Sequence, residues 1–171
     1  MAAIFRAIVY ASLFIALVFF YLPGRVLASA GIHRPPLMGW PQIAGILILT
    51  AGAGIALCCV FVFAWLGRGT PAPFDPPRSL VVRGPYRFVR NPMYIGVATA
   101  LAGAALYFAA WQLLLYAVAL LVCAHLFVML YEEPTLRRSF GADYEGYCRQ
   151  VHRWLPTRPR KSRPEPKLVR G

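Results

Sequence analysis

Two adjacent carboxylates, Glu132 and Glu133, stand out in a chain of 171 residues that holds only six Asp and Glu against 18 Lys and Arg. They close a long apolar run, where negative charge opposes the dipole at the C-terminal end of a helix. A pair so placed has to neutralise something cationic. The cation is either Arg137 or Arg138 at helical spacing, or a bound ligand. A second group lies upstream, in Gly84-Pro85-Tyr86-Arg87-Phe88-Val89-Arg90-Asn91-Pro92-Met93-Tyr94. Asn91 can cap free backbone N–H groups and Pro92 fits the first helical position, so a helix starts here. Such a helix start is suited to a carboxylate or a phosphate. Arg87, Arg90 and Glu133 are candidates for positioning a substrate. Metal chemistry is not expected, because Cys58, Cys59, Cys123 and Cys148 lack ligand spacing and three of them lie inside apolar runs. They read as free thiols. His125 stands alone in an apolar run, and a functional role and a neutral packing role are both open to it.

Apolar elements must carry these residues. Hydrophobic residues make up 59% of the chain and charged residues 14%, against about 45–50% and 25% in soluble domains. The composition excludes a disordered chain and an ordinary water-soluble enzyme. Apolar runs extend from about Ile4 to Leu22, stopping at Pro23-Gly24, and from about Ile43 to Leu66. A third, Tyr94 to Tyr131, has no charged side chain except His125 and is too long for one crossing of roughly 20 residues. It should fold back near Ala109–Trp111. The expected fold is an all-α membrane protein of about four transmembrane helices, the last two a tight hairpin. A cytoplasmic Pro-rich loop and a C-terminal amphipathic interfacial helix complete it. The interfacial helix is predicted from Phe140, Tyr144, Tyr147, Cys148 and Val151, which recur at three- and four-residue steps. Gly52 and Gly54, and Gly96, Ala100 and Ala104, have the small-residue spacing of close helix packing.

Three regions follow: residues 1–66 with two helices, 67–156 with the chemistry-bearing segments, and a basic tail, 157–171, expected to be disordered and held by anionic lipid headgroups. Sixteen basic residues fall at the N-terminus, the middle loop and the tail, and two, Arg25 and Arg34, in the remaining loop. This bias places the middle loop and C-terminus in the cytoplasm, in a bacterial inner membrane. The net charge of +12 flanks the spans instead of covering a folded face, so a lipid bilayer and not nucleic acid is the expected partner. Arg6, the first apolar run and Ala28-Ser29-Ala30 also fit a cleavable signal peptide, which would leave three spans and the same cytoplasmic face.

From Arg78 to Pro156 the chain resembles the membrane methyltransferases related to isoprenylcysteine carboxyl methyltransferase and the phospholipid N-methyltransferases. The resemblance rests on Leu80-Val81, Gly84-Pro85-Tyr86 and Arg90-Asn91-Pro92-Met93-Tyr94-Ile95-Gly96, followed by Glu132-Glu133, Phe140-Gly141, Tyr144, Tyr147 and Val151. It implies S-adenosyl-L-methionine as methyl donor and a small or lipid-like nucleophile as acceptor. It further implies donor contacts at Arg78, Ser79, Leu80, Val81, Tyr86, Asn91, Pro92, Met93, Tyr94 and Glu132. The chain departs from the prenylcysteine enzymes at Asn91, where they have His, and at Val128, where they have Arg. The resemblance therefore does not fix the acceptor as a prenylcysteine. Two other functions fit parts of this pattern. An NADPH-dependent reductase of sterol-reductase type would use the loop arginines for phosphates but meet repulsion from Glu132 and Glu133. A non-enzymatic membrane protein would keep the site without turnover.

Overall fold

The computed structural model describes residues 16–32, 37–66 and 80–157. The start of the first apolar run, the prolines at 71–77, Arg78, Ser79 and the basic tail beyond Thr157 lie outside them. Every regular element among the described residues is helical. Helix α1 is Leu22–Ser29, and a π-helical turn, Leu17–Tyr21, leads into it. The helix thus runs through Pro23-Gly24, where a stop was expected. Pro23 occupies the first turn of the α-helical part, where a missing N–H costs little, and the chain leaves the helix at Gly31 with φ +73°. Helix α2 is Trp40–Leu66, beginning three residues before the expected Ile43. At 1.5 Å per residue it is roughly 40 Å long, ample for a bilayer core of about 30 Å.

Helix α3 is Pro92–Tyr107 and helix α4 is Trp111–Phe127. The turn between them is Phe108–Ala110, as the fold-back predicts. Ala109 takes φ +52°, and Ala110 N donates to Ala105 O at 2.8 Å, the left-handed closure that commonly ends helices. Beyond α4 the helix does not stop. A π-helical stretch, Val128–Glu132, joins it to α5, Glu133–Gln150, making one helical run of 40 residues. Gly141 breaks the regularity of α5 with φ 49° and ψ −121°, a conformation for which glycine is suited. Two helices, Trp40–Val62 and Trp111–Gln150, are long and apolar enough to cross a membrane, and shorter apolar helices flank them.

The main seam is α2 against α3, antiparallel and backbone to backbone. A Cβ on Gly45 would lie 2.7 Å from Tyr107 N and 2.8 Å from Gly103 O. One on Gly96 would lie 2.9 Å from both Ala56 N and Gly52 O. Gly52 and Gly103 approach the facing backbone of Ala100 and Leu49 in the same way. The expected stripe is therefore real, with Gly45 added to it and two further changes of membership. Gly103 and not Ala104 is at the contact, and Gly54 faces open space. Close approach gains dispersion and excludes lipid, the driving force left when apolar burial no longer favours association. Val97, Leu101 and Ala117 pack with Phe19 and Tyr116 in the middle, and Tyr116 Oη donates to Val18 O in the first π turn at 2.7 Å. Leu47, Leu57 and Phe61 on α2, and Leu115, Val118 and Val122 on α4, point outward. This outward apolar band belongs to a membrane protein.

Candidate functional site

The site forms where the middle loop, the start of α3 and the α4–α5 junction meet. Gly84, at φ +60° and with Val62 of α2 3.1 Å from where a Cβ would stand, turns the loop into a single 3-10 turn, Gly84–Arg87. That turn holds Tyr86, and its carbonyl is fixed by Tyr147 Oη at 2.6 Å. Burial pushes the Tyr86 phenol up, and Cys59, Glu132, Tyr147 and Tyr94 around it act in the same direction. The hydroxyl therefore stays protonated.

The two acids part company. Glu133 is buried, and Arg153 grips it in a bidentate pair, Nε to Oε1 at 2.6 Å and Nη2 to Oε2 at 2.8 Å. Arg90 Nη1 lies 3.2 Å from Oε1, and Arg137 Nη2, one helical turn on, 3.8 Å from Oε2. The hydrogen-bonded Glu133 in turn lifts the Arg153 guanidinium above its ordinary range. Bidentate geometry of this kind is strong and directional. Pairing with Arg137 is thus the weakest part of a larger cluster, and Arg138 has no ion pair among the described residues. Glu132 is different. Its one hydrogen-bond partner among the described residues is Tyr94 Oη, 3.5 Å from Oε2, at the long limit for such a bond. A half-buried carboxylate with spare acceptor capacity is left facing Tyr94 and Tyr86.

Other candidates have structural partners. Asn91 is buried but makes no side-chain cap for α3, contrary to expectation. Its Nδ2 donates to Arg153 O at 3.2 Å instead. Arg90 is committed to Glu133 and to Cys148 Sγ, at 2.8 Å. Arg87 lies over the Phe88 ring, 4.6 Å from its centroid, on the exposed side of the loop. Leu80 packs into the cluster of Tyr144, Tyr147 and Val151, while Val81 and Pro92 are buried and Met93 half-buried beside Tyr94. The apolar face of α5 thus covers the loop. Arg78 and Ser79 are outside the described residues.

The residues that the sequence did not single out lie in the segment after α5. Residues 151–157 run along the loop as a strap. Arg90 N donates to His152 O at 2.9 Å and Thr157 N to Phe88 O at 2.7 Å. Trp154 is thereby set between Tyr94 and His125, with ring centroids 6.4 and 5.9 Å away. Trp154 Nε1 donates to His125 Nδ1 at 2.9 Å. An indole N–H only donates, so Nδ1 accepts and the ring proton sits on Nε2. His125 therefore has a hydrogen-bonded packing role in the structure. No periodicity marks Arg153 and Trp154; the one signal was a Trp among basic residues at a membrane boundary.

No group of three or more His, Cys, Asp or Glu that could hold a metal occurs among the described residues. Residues 40–143, well over half of the chain, match the family model described as phospholipid methyltransferase. The match takes in α2, α3, α4, the loop and both acids, and ends before the strap. No curated protein and no solved structure matches the chain.

Proposed function

The chain belongs to the phospholipid methyltransferase family, and from that premise we propose that it transfers a methyl group from S-adenosyl-L-methionine to a small or lipid-like nucleophile at the cytoplasmic membrane face. The observation that carries this reading is the unequal state of the two acids. Glu133 is saturated by arginines, whereas Glu132 keeps a carboxylate with one long hydrogen bond beside two aromatic hydroxyls.

These groups fit the proposed donor, which has an amino-acid end, a sulfonium and an adenine. Glu132 takes the ammonium. Tyr94 Oη and the uncapped first turn of α3 suit the carboxylate. Tyr86 offers a ring face to the adenine or the sulfonium. Asn91 serves the site indirectly, by holding the strap. When bound, the donor supplies an electrophilic methyl carbon: the nucleophile's lone pair forms the new bond as the carbon–sulfur pair returns to sulfur. The protein's share is to align the two partners, with the nucleophile entering from the lipid side, and to exclude water.

Calorimetry on the purified protein in detergent tests this reading, with S-adenosylmethionine, S-adenosylhomocysteine and NADPH as titrants. Both adenosyl compounds should bind. Glu132→Gln should weaken them by about tenfold or more, the size of a lost hydrogen bond to a charged group. A folded protein that binds neither, or binds NADPH instead, overturns the reading.

A further inference from the structure

We propose that Trp154 and His125 are positioning residues of the donor site, acting through Tyr94; the inference rests on the donor reading above and extends it to a segment that the family model does not cover. Tyr94 is the group that touches Glu132, and its hydroxyl is set by the direction of its ring. That ring is flanked by Trp154 at a 56° tilt. Trp154 is held by its own indole and through the residue before it. Its indole is bonded to His125 of α4, and the preceding residue, Arg153, grips Glu133 with its side chain and accepts from Asn91 with its carbonyl. A chain of contacts therefore runs from His125 through Trp154 and Tyr94 to Glu132. It returns to the adjacent acid through Arg153.

The arrangement also accounts for an ionisable ring inside an apolar helix. Such a side chain carries a desolvation cost that a leucine there would not. With Nδ1 accepting from Trp154, the imidazole gives the half-buried indole N–H its acceptor. Packing alone would be met by any large apolar residue at 125. The acceptor at Nδ1 satisfies the indole N–H and, in doing so, fixes the orientation of the Trp154 ring beside Tyr94.

The test is a double-mutant cycle read by the affinity for S-adenosylhomocysteine, with the thermal midpoint measured on every variant. His125→Phe removes the acceptor and keeps a ring. Trp154→Phe removes the N–H and keeps a ring. His125→Asn keeps an acceptor near the Nδ1 position. Tyr94→Phe, His125→Phe and Trp154→Phe should each weaken binding by about tenfold, the effect of one misplaced hydrogen bond to a charged group. His125→Asn should recover most of it. In the Tyr94→Phe background, His125→Phe should add nothing, because the hydroxyl through which it acts is already gone. Penalties that add in the double variant overturn the inference while leaving the donor reading intact. So does a His125→Asn variant as weak as His125→Phe with an equally lowered midpoint, since that marks a packing role. A wild-type protein that does not bind the nucleoside overturns the donor reading and this inference with it.

Discussion

Glu132 and Glu133 are chemically identical and adjacent, yet the fold gives them different work. Glu133 joins three stretches of chain, through Arg90 before α3, Arg137 on α5 and Arg153 on the strap. Glu133→Gln leaves Arg90 and Arg153 without their shared charge, and removing one partner of a buried pair is expensive. The expected loss is about 3 kcal/mol of stability, toward the low end because 28% of the Arg153 side chain remains exposed. It should appear as a lower thermal midpoint in detergent, whereas Glu132→Gln should leave the midpoint nearly unchanged and weaken donor binding. Equal midpoints for the two variants would refute this division. The sequence indicated that the pair meets a cation, but not which acid meets which one. Helical spacing revealed Arg137, the most distant of the three. Arg90 and Arg153 lie 43 residues before and 20 after Glu133, and nothing local in the sequence points across such separations. Asn91 misled for a related reason. Its type and position suit a cap, but a backbone carbonyl of the strap competes for the same amide.

At the level of elements, the sequence was most informative where a repeated physical demand leaves a repeated mark. Apolar runs located α2, α3 and α4, of which two helical runs, Trp40–Val62 and Trp111–Gln150, are long enough to cross a membrane, and Pro92 marked the start of α3. The need to reverse within one apolar run located the turn at Phe108–Ala110. The α2–α3 seam was legible as a stripe of small residues, but its exact members depend on helix rotation, which spacing alone leaves open by one residue. Gly103 and Gly54 provide the test, because the same change should have opposite results. Gly103→Ala places a methyl against the backbone of Gly45 and Leu49 and should cost about 1–3 kcal/mol as the helices separate. Gly54→Ala meets nothing within 4 Å and should be neutral or gain up to about 1 kcal/mol in helix propensity. Thermal unfolding of both variants in one detergent decides the matter; a Gly103→Ala protein as stable as wild type would refute the seam. The strap was not legible because its seven residues have no period, and the side chains that tie it down, Arg153, Trp154 and Thr157, find partners far away in the sequence. The kink at Gly141 has no periodic mark either; its φ of 49° is one that glycine adopts readily.

For the whole molecule, the decisive relation is which ends share a side of the membrane. The loop at 84–91 and the strap at 151–157 are joined by hydrogen bonds, so they lie at one end of the helices. At the other end Ala105, Ala110 and Leu113 pack with Val26, Leu27 and Ile32, which brings the α3–α4 turn to the loop after α1. Geometry thus separates two faces without saying which is cytoplasmic. The proposed direction rests on the sequence: sixteen of the 18 basic residues belong to the N-terminal segment, the middle loop and the tail, the bias expected of cytoplasmic segments. A site at the basic face would draw a water-soluble donor from the cytoplasm and an apolar acceptor from the adjacent leaflet, so the orientation bears directly on the proposed chemistry. In a background lacking Cys58, Cys59, Cys123 and Cys148, single cysteines at two exposed positions report it: Ala109→Cys at the turn and Glu145→Cys on α5. A membrane-impermeant maleimide applied to intact cells should label Ala109→Cys at once and Glu145→Cys only after lysis. The reverse pattern would place the Glu132 site on the outer face, away from the cytoplasmic donor, and the methyltransferase reading of this site would fall with the topology.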